Sequence, residues 1–130
     1  GKVFVGLNDI VLHNENPRCG VRYSIEVDGN VLREEIIGDG IVFATPLGST
    51  GYYRSITDSS FEIGIGVAFN NSTEQSDHMV LKEDRAIRVK IIRGPAICYA
   101  DNQEQSVKLV EGDFVEVKKS QQIAKIILVI

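Results

Sequence analysis

The chain has 130 residues, a hydrophobic fraction of 43% and a formal net charge of −4. That length and composition fit one globular domain, residues 1–130. The mild acidity and scattered cations exclude a binder of the nucleic-acid backbone, and no apolar run reaches the ~20 residues that cross a bilayer. No nucleic-acid or membrane partner is therefore expected. Cys19 and Cys98 form no CxxC pattern and read as free thiols. The start, GKVFVGLNDIVLHN, lacks the basic-then-apolar layout of a leader, so the expected compartment is the cytoplasm.

In chain order, the dominant period is two. VRYSIEV (Val21–Val27) alternates apolar and polar residues, and VLREEII follows after Asp28-Gly29-Asn30, a tight-turn signal that predicts a hairpin. IVFAT, FEIGIGVAF, AIRVKII, SVKLV, FVEVKK and AKIILVI are further short Val- and Ile-rich segments bounded by turn residues. Glu111-Gly112-Asp113 reads as the turn of a hairpin joining SVKLV to FVEVKK, and NNSTEQSD (Asn70–Asp77) as a surface loop. With no 10–15-residue helical pattern between them, these segments predict a mainly β fold, an antiparallel β-sandwich of about ten or more short strands.

Only Ser49–Ser60, STGYYRSITDSS, resists the strand reading. It follows a Thr-Pro-Leu-Gly turn, so Ser49 or Thr50 is expected to cap one short helix that carries Tyr52, Tyr53 and Ile56 on helical spacings.

The stretch GDGIVFATPLGSTGYYRS gathers chemistry suited to a nucleotide. Gly48 permits close backbone approach, Ser49 and Thr50 add hydroxyls, and Tyr52 and Tyr53 add faces for stacking. A turn followed by a helix cap explains the same residues without any ligand. The stretch is neither a P-loop nor a Rossmann fingerprint. His13 and His78 lack metal-ligand spacing, so no metal site is expected.

The same stretch resembles the signature of the NAD kinase family: GDG, an apolar run, then TPTGSTAYxxS. LNDIVLH (Leu7–His13) resembles the family's short asparagine–acid motif. YADNQ (Tyr99–Gln103) is similar to its late aspartate-rich hairpin, and VEGDFVEVKKS to its closing strand pair. The resemblance covers nearly the whole chain. It implies a two-domain kinase that phosphorylates the adenosine ribose 2′-hydroxyl of NAD to give NADP, using ATP or polyphosphate with Mg2+, and whose C-terminal β-sandwich carries most NAD contacts.

Carried over by position, the resemblance places NAD-binding roles on several residues. Asn8 and Asp9 contact the adenosine part, and Asp39 the nicotinamide end, sometimes from a neighbouring subunit. Thr45, Leu47, Ser49, Thr50, Gly51, Tyr52 and Ser55 belong to the dinucleotide-lining motif. Asp9 replaces the usual Glu, Gly51 an Ala, and Leu47 a hydroxyl residue; Ile56-Thr57-Asp58-Ser59 stands where the family has Ala-Gly-Gly-Pro. A homo-oligomer is expected from the shared site and from sheet edges.

The family's catalytic aspartate lies in a GGDG motif of its N-terminal domain, and this chain has no GGDG and no catalytic residue of that kind. Gly1 in place of methionine favours a domain cut from a full kinase, inactive alone, whose ATP or polyphosphate and Mg2+ arrive with the other domain. The alternatives are a lone domain served by a separate catalytic chain and a nucleotide-binding or assembly module without catalysis. A further alternative is the β domain of a diacylglycerol- or sphingosine-type lipid kinase, with Phe43 and Leu47 lining an apolar cleft.

Overall fold

The computed structural model describes residues 3–101, 104–120 and 126–129, the last four for their backbone alone. Two six-stranded antiparallel sheets stack face to face. The strands are β1 (Val3–Gly6), β2 (Asp9–Asn14), β3 (Val21–Val27), β4 (Asn30–Gly38), β5 (Gly40–Ala44), β6 (Ile65–Asn70), β7 (His78–Leu81), β8 (Ile87–Arg93), β9 (Ala96–Ala100), β10 (Val107–Leu109), β11 (Phe114–Lys119) and β12 (Ile126–Val129). The first sheet runs β1-β12-β11-β8-β3-β4 and the second β10-β9-β2-β5-β6-β7. The expected antiparallel sandwich is the observed architecture.

Alternation builds the interior. Val21, Tyr23 and Ile25 of β3 point inward with Ile87, Val89 and Ile91 of β8, and Ile10, Leu12, Ile41 and Phe43 of the second sheet meet them. The β3–β4 hairpin forms as predicted. Asp28 and Gly29 both take positive φ, 51° and 83°, and Val27 pairs with Asn30, as a two-residue turn of the primed type requires.

Three readings change. Glu111-Gly112-Asp113 does form a turn, held by the Asp113 carboxylate accepting from Val110 N–H at 2.8 Å, but β10 and β11 lie in different sheets. β10 pairs with β9 and β11 with β8, so the turn carries the chain across the sandwich rather than closing a hairpin. FEIGIGVAF shortens to β6 from Ile65, because Gly64 takes φ 109° and Phe61 leaves the sheet to stack edge-on against Tyr53, centroids 5.1 Å apart. β1, β2, β7 and β9 were not among the predicted segments. Of AKIILVI, residues 124, 125 and 130 lie outside the described residues.

β5 is buried at every position, and β6 at all but its last residue. The second sheet is covered on both faces: the sandwich core lies on one side, and one short helix, α1 (Tyr52–Thr57), lies on the other. α1 packs Tyr53 onto Val11, Val42, Ala44 and Ala68, with Ile56 and Phe61 around it. This outer face is where the candidate site forms. No helix among the described residues is long and apolar enough to cross a membrane.

Candidate functional site

A cavity of about 300 Å3 opens on the outer face of the second sheet, beside α1. Its lining comes from three segments far apart in sequence: Asn8 and the start of β2 (Asp9, Val11), the turn before α1 (Leu47, Gly48, Thr50, Gly51) with Tyr52 of α1, and Tyr99 of β9 with Asp101 just beyond it. Strand register brings them together. Asp9 pairs with Ala44 across β2–β5, and Ile10 pairs with Ala100 across β2–β9. The residues that follow Ala44 and Ala100 therefore leave their strands at the end where β2 begins.

The middle segment is a short 3-10 turn, Leu47–Thr50, that leads into α1 through Gly51. Neither Ser49 nor Thr50 caps the helix as expected; Gly51 occupies the N-cap with no side-chain hydrogen bond. Ser49 is buried and framework-bound: its hydroxyl donates to Pro46 O at 2.7 Å and accepts from Phe61 N–H at 3.2 Å. Thr45 is equally structural. Its hydroxyl donates to Leu7 O at 2.8 Å and accepts from Gly48 N–H at 3.1 Å. Gly48 packs directly on the Asn8 backbone, and a Cβ there would collide with the Asn8 carbonyl oxygen.

Of the residues named from the sequence, Asn8, Asp9, Leu47, Thr50, Gly51 and Tyr52 thus converge on one cavity. Thr45 and Ser49 form its frame. Ser55 faces a more open neighbouring hollow with Asn70 and Asn71, and Tyr52 lines both. Asp39 sits elsewhere, at the crossover from β4 to β5, where its carboxylate accepts from Asn71 Nδ2 at 3.1 Å and Asn14 Nδ2 at 3.4 Å. β5 separates it from Thr45 by roughly 20 Å of extended chain. Gly40 after it must be glycine, since a Cβ would meet the Leu12 carbonyl oxygen. Tyr53 is fully buried under the helix and offers no stacking face, because it sits on the sheet side of α1 while Tyr52 faces the cavity.

The cavity is electrostatically acidic. Burial, helped by the neighbouring Asp101 carboxylate, pushes the Asp9 carboxyl up to about 6. The Tyr99 phenol is also raised, first by burial and then by Tyr52 and Asp9. Among the described residues, no three His, Cys, Asp or Glu side chains converge on a metal position.

Gly48, singled out for close backbone approach, also lines the cavity, together with Val11, Tyr99 and Asp101, which carry no site role in the sequence reading. Tyr99 and Asp101 belong to the YADNQ motif, whose Asn102 and Gln103 lie outside the described residues. The alternation of β9, which puts Tyr99 on the outer face with Val11, was the available signal.

Comparison with known proteins bears on this arrangement. The model of the ATP-NAD kinase C-terminal domain family matches residues 7–129. An NAD kinase of Methanothermobacter thermautotrophicus is 32% identical over 114 residues, which cover 85% of this chain and 37% of that protein. The crystal structure of an NAD kinase from Archaeoglobus fulgidus in complex with ATP superposes with a TM-score of 0.76 at 24% identity, over 95% of this chain and 51% of the other. Yeast NADH kinase complexed with NADH gives a TM-score of 0.76 at 25% identity, over 94% of this chain and 34% of the other. The chain spans well under two thirds of the length of each of these relatives. Since the family model covers all three cavity-lining segments and nearly the whole sandwich, the chain belongs to the ATP-NAD kinase C-terminal domain family.

Proposed function

We propose that this chain is the dinucleotide-binding domain of an NAD kinase, which transfers a phosphoryl group to the adenosine ribose 2′-hydroxyl of NAD and yields NADP. One observation carries the reading: Asn8, Asp9, Thr50 and Tyr52, separated in sequence, line a single cavity. The Asp9 carboxylate and the Asn8 amide oxygen give one end of it acceptors, and the Asp101 carboxylate behind them adds negative charge. Such a surface suits ribose hydroxyls and the adenine amino group and repels phosphate, so the pyrophosphate belongs toward Thr50 and Gly51. Tyr52 offers a face to a flat ring, and Leu47, more than half exposed at 57%, gives apolar contact rather than a hydrogen bond.

In the transfer, the 2′-oxygen forms a bond to the terminal phosphorus of ATP or polyphosphate, and the bond from that phosphorus to the leaving phosphate oxygen breaks. The hydroxyl proton passes to a carboxylate. We assign that carboxylate to the family's GGDG segment, supplied from outside these 130 residues together with the donor and Mg2+. What this chain does is bind NAD, orient the ribose and shield it.

A homo-oligomer completes the proposal. Asp39 does not line the cavity and accepts a hydrogen bond from Asn71 of the neighbouring hollow, and in the oligomer we propose, it meets the nicotinamide end of a neighbouring copy's ligand. Cys19, exposed, and Cys98, buried, are both unpaired and suit a reducing compartment such as the cytoplasm. The lipid-kinase reading is not favoured: Phe43 is fully buried in the core and lines no cleft, and the cavity presents Asn8, Asp9 and Asp101. A stand-alone module without catalysis is likewise not favoured.

The test is a titration of the chain, in its assembled state, with NAD, followed by amide chemical shifts. Asn8, Thr50 and Tyr52 are expected to move together and saturate. An unchanged spectrum at several millimolar NAD would refute the reading.

A further inference from the structure

Asp101 lies one residue beyond β9, in the left-handed region at φ 48°. Asp and Asn tolerate that region better than most residues. There its carboxylate turns back across 94 residues of sequence to the turn before β2. Oδ2 accepts from Leu7 N–H at 2.8 Å, and Oδ1 accepts from Asn8 N–H at 2.8 Å and Asp9 N–H at 2.9 Å. The Asp101 N–H in turn donates to Asp9 O at 2.9 Å.

The opposite side of the same turn is held by Thr45. Its N–H donates to Asn8 O at 3.0 Å, and its hydroxyl donates to Leu7 O at 2.8 Å. The N–H groups of residues 7–9 are thus taken by one carboxylate, and the carbonyls of Leu7 and Asn8 by one threonine. A carboxylate is the side chain able to take all three N–H groups, because both of its oxygens only accept.

We infer that Asp101 is a positioning residue for the dinucleotide site: its carboxylate holds the Leu7–Asp9 backbone in the form that presents the Asn8 and Asp9 side chains to the ligand. The inference rests on the NAD reading above. Asp101 is absent from both apolar clusters, and the β2–β9 ladder ends at Ala100. Losing its side chain therefore loosens the turn and leaves the sandwich intact. Groups that orient metal ligands from behind are worth about 10-fold or more in affinity, and by analogy that scale is expected here.

The experiment is NAD titration of the wild type, Asp101→Asn, Asn8→Ala and the double variant. Asp101→Asn is expected to weaken NAD binding about tenfold and to shift the Leu7, Asn8 and Asp9 amides, while those of Val21–Val27 stay in place. In the Asn8→Ala background its added cost shrinks, because part of what it positions is gone. Wild-type NAD binding with Asp101→Asn unchanged within about twofold overturns this inference alone. The full tenfold loss repeated in the Asn8→Ala background overturns it too, since Asp101 then acts independently of Asn8. A wild type that does not bind NAD overturns the functional reading and this one with it. Hydrogen exchange of the wild-type protein is a check that needs no folded variant: rapid exchange of the Leu7, Asn8 and Asp9 amides would show that the carboxylate does not hold them.

Discussion

Replacing Asp9 with asparagine removes a carboxyl whose pKa is about 6 in the folded chain and 3.8 as its ordinary value. Between those two values the native state keeps a proton that the unfolded state has released. Stability therefore falls as pH rises through this window, and above it the folded protein carries the full cost of a partly buried anion beside Asp101. The undiscounted difference corresponds to at most about 3 kcal/mol. Asp9 is partly open to solvent, which screens the interaction, so we expect on the order of 1 kcal/mol. For 130 residues, that raises the unfolding midpoint of Asp9→Asn by about 4 °C at pH 7.5. The assay is thermal unfolding of both proteins from pH 3 to 8. The gain should be present near pH 7.5, shrink as the pH falls through 6, and vanish below 4. A variant no more stable than wild type at pH 7.5, or a difference independent of pH, would refute the reasoning. Stability gained by removing a proposed binding group is what a site that trades stability for function predicts.

Thr45→Val keeps the shape but strips the hydroxyl that donates to Leu7 O and accepts from Gly48 N–H, and Thr45 is only 4% exposed. Denaturant unfolding should show a loss of about 2 kcal/mol, since buried polar partners are left unpaired; a neutral result would mean that water replaces the hydroxyl. Tyr23→Phe tests the opposite situation. The buried Tyr23 hydroxyl has no hydrogen-bond partner among the described residues, so its removal should be neutral or stabilising by up to about 1 kcal/mol in the same assay. A clear destabilisation would show that the hydroxyl is bonded.

Much of this protein is legible locally. The alternation of β3 and β8 and the Asp28-Gly29 turn follow from backbone sterics and period-two burial, which act between near neighbours. The roles of Asn8, Asp9, Thr50 and Tyr52 come from the resemblance to the NAD kinase signature, which short stretches of sequence carry.

Partners distant in the chain were beyond that reach. Glu111-Gly112-Asp113 has the chemistry of a hairpin turn, yet the pairing energy lies in β9 and β8, so it links two sheets. IVFA is apolar at every position because α1 covers the face that an ordinary sandwich exposes, and no local signal says so. The adjacent hydroxyls of Ser49 and Thr50 look equivalent in sequence, but packing against Phe61 turns one into framework and leaves the other on the cavity.

Asp101 shows the limit most plainly. Sequence marks it as one acidic residue in a hairpin, while the register of β2 with β9 sets its carboxylate against three N–H groups at the other end of the chain. Residue types and short-range sterics determine strands, turns and candidate groups. Strand order and register, set by burial across the whole sandwich, decide which of those groups meet.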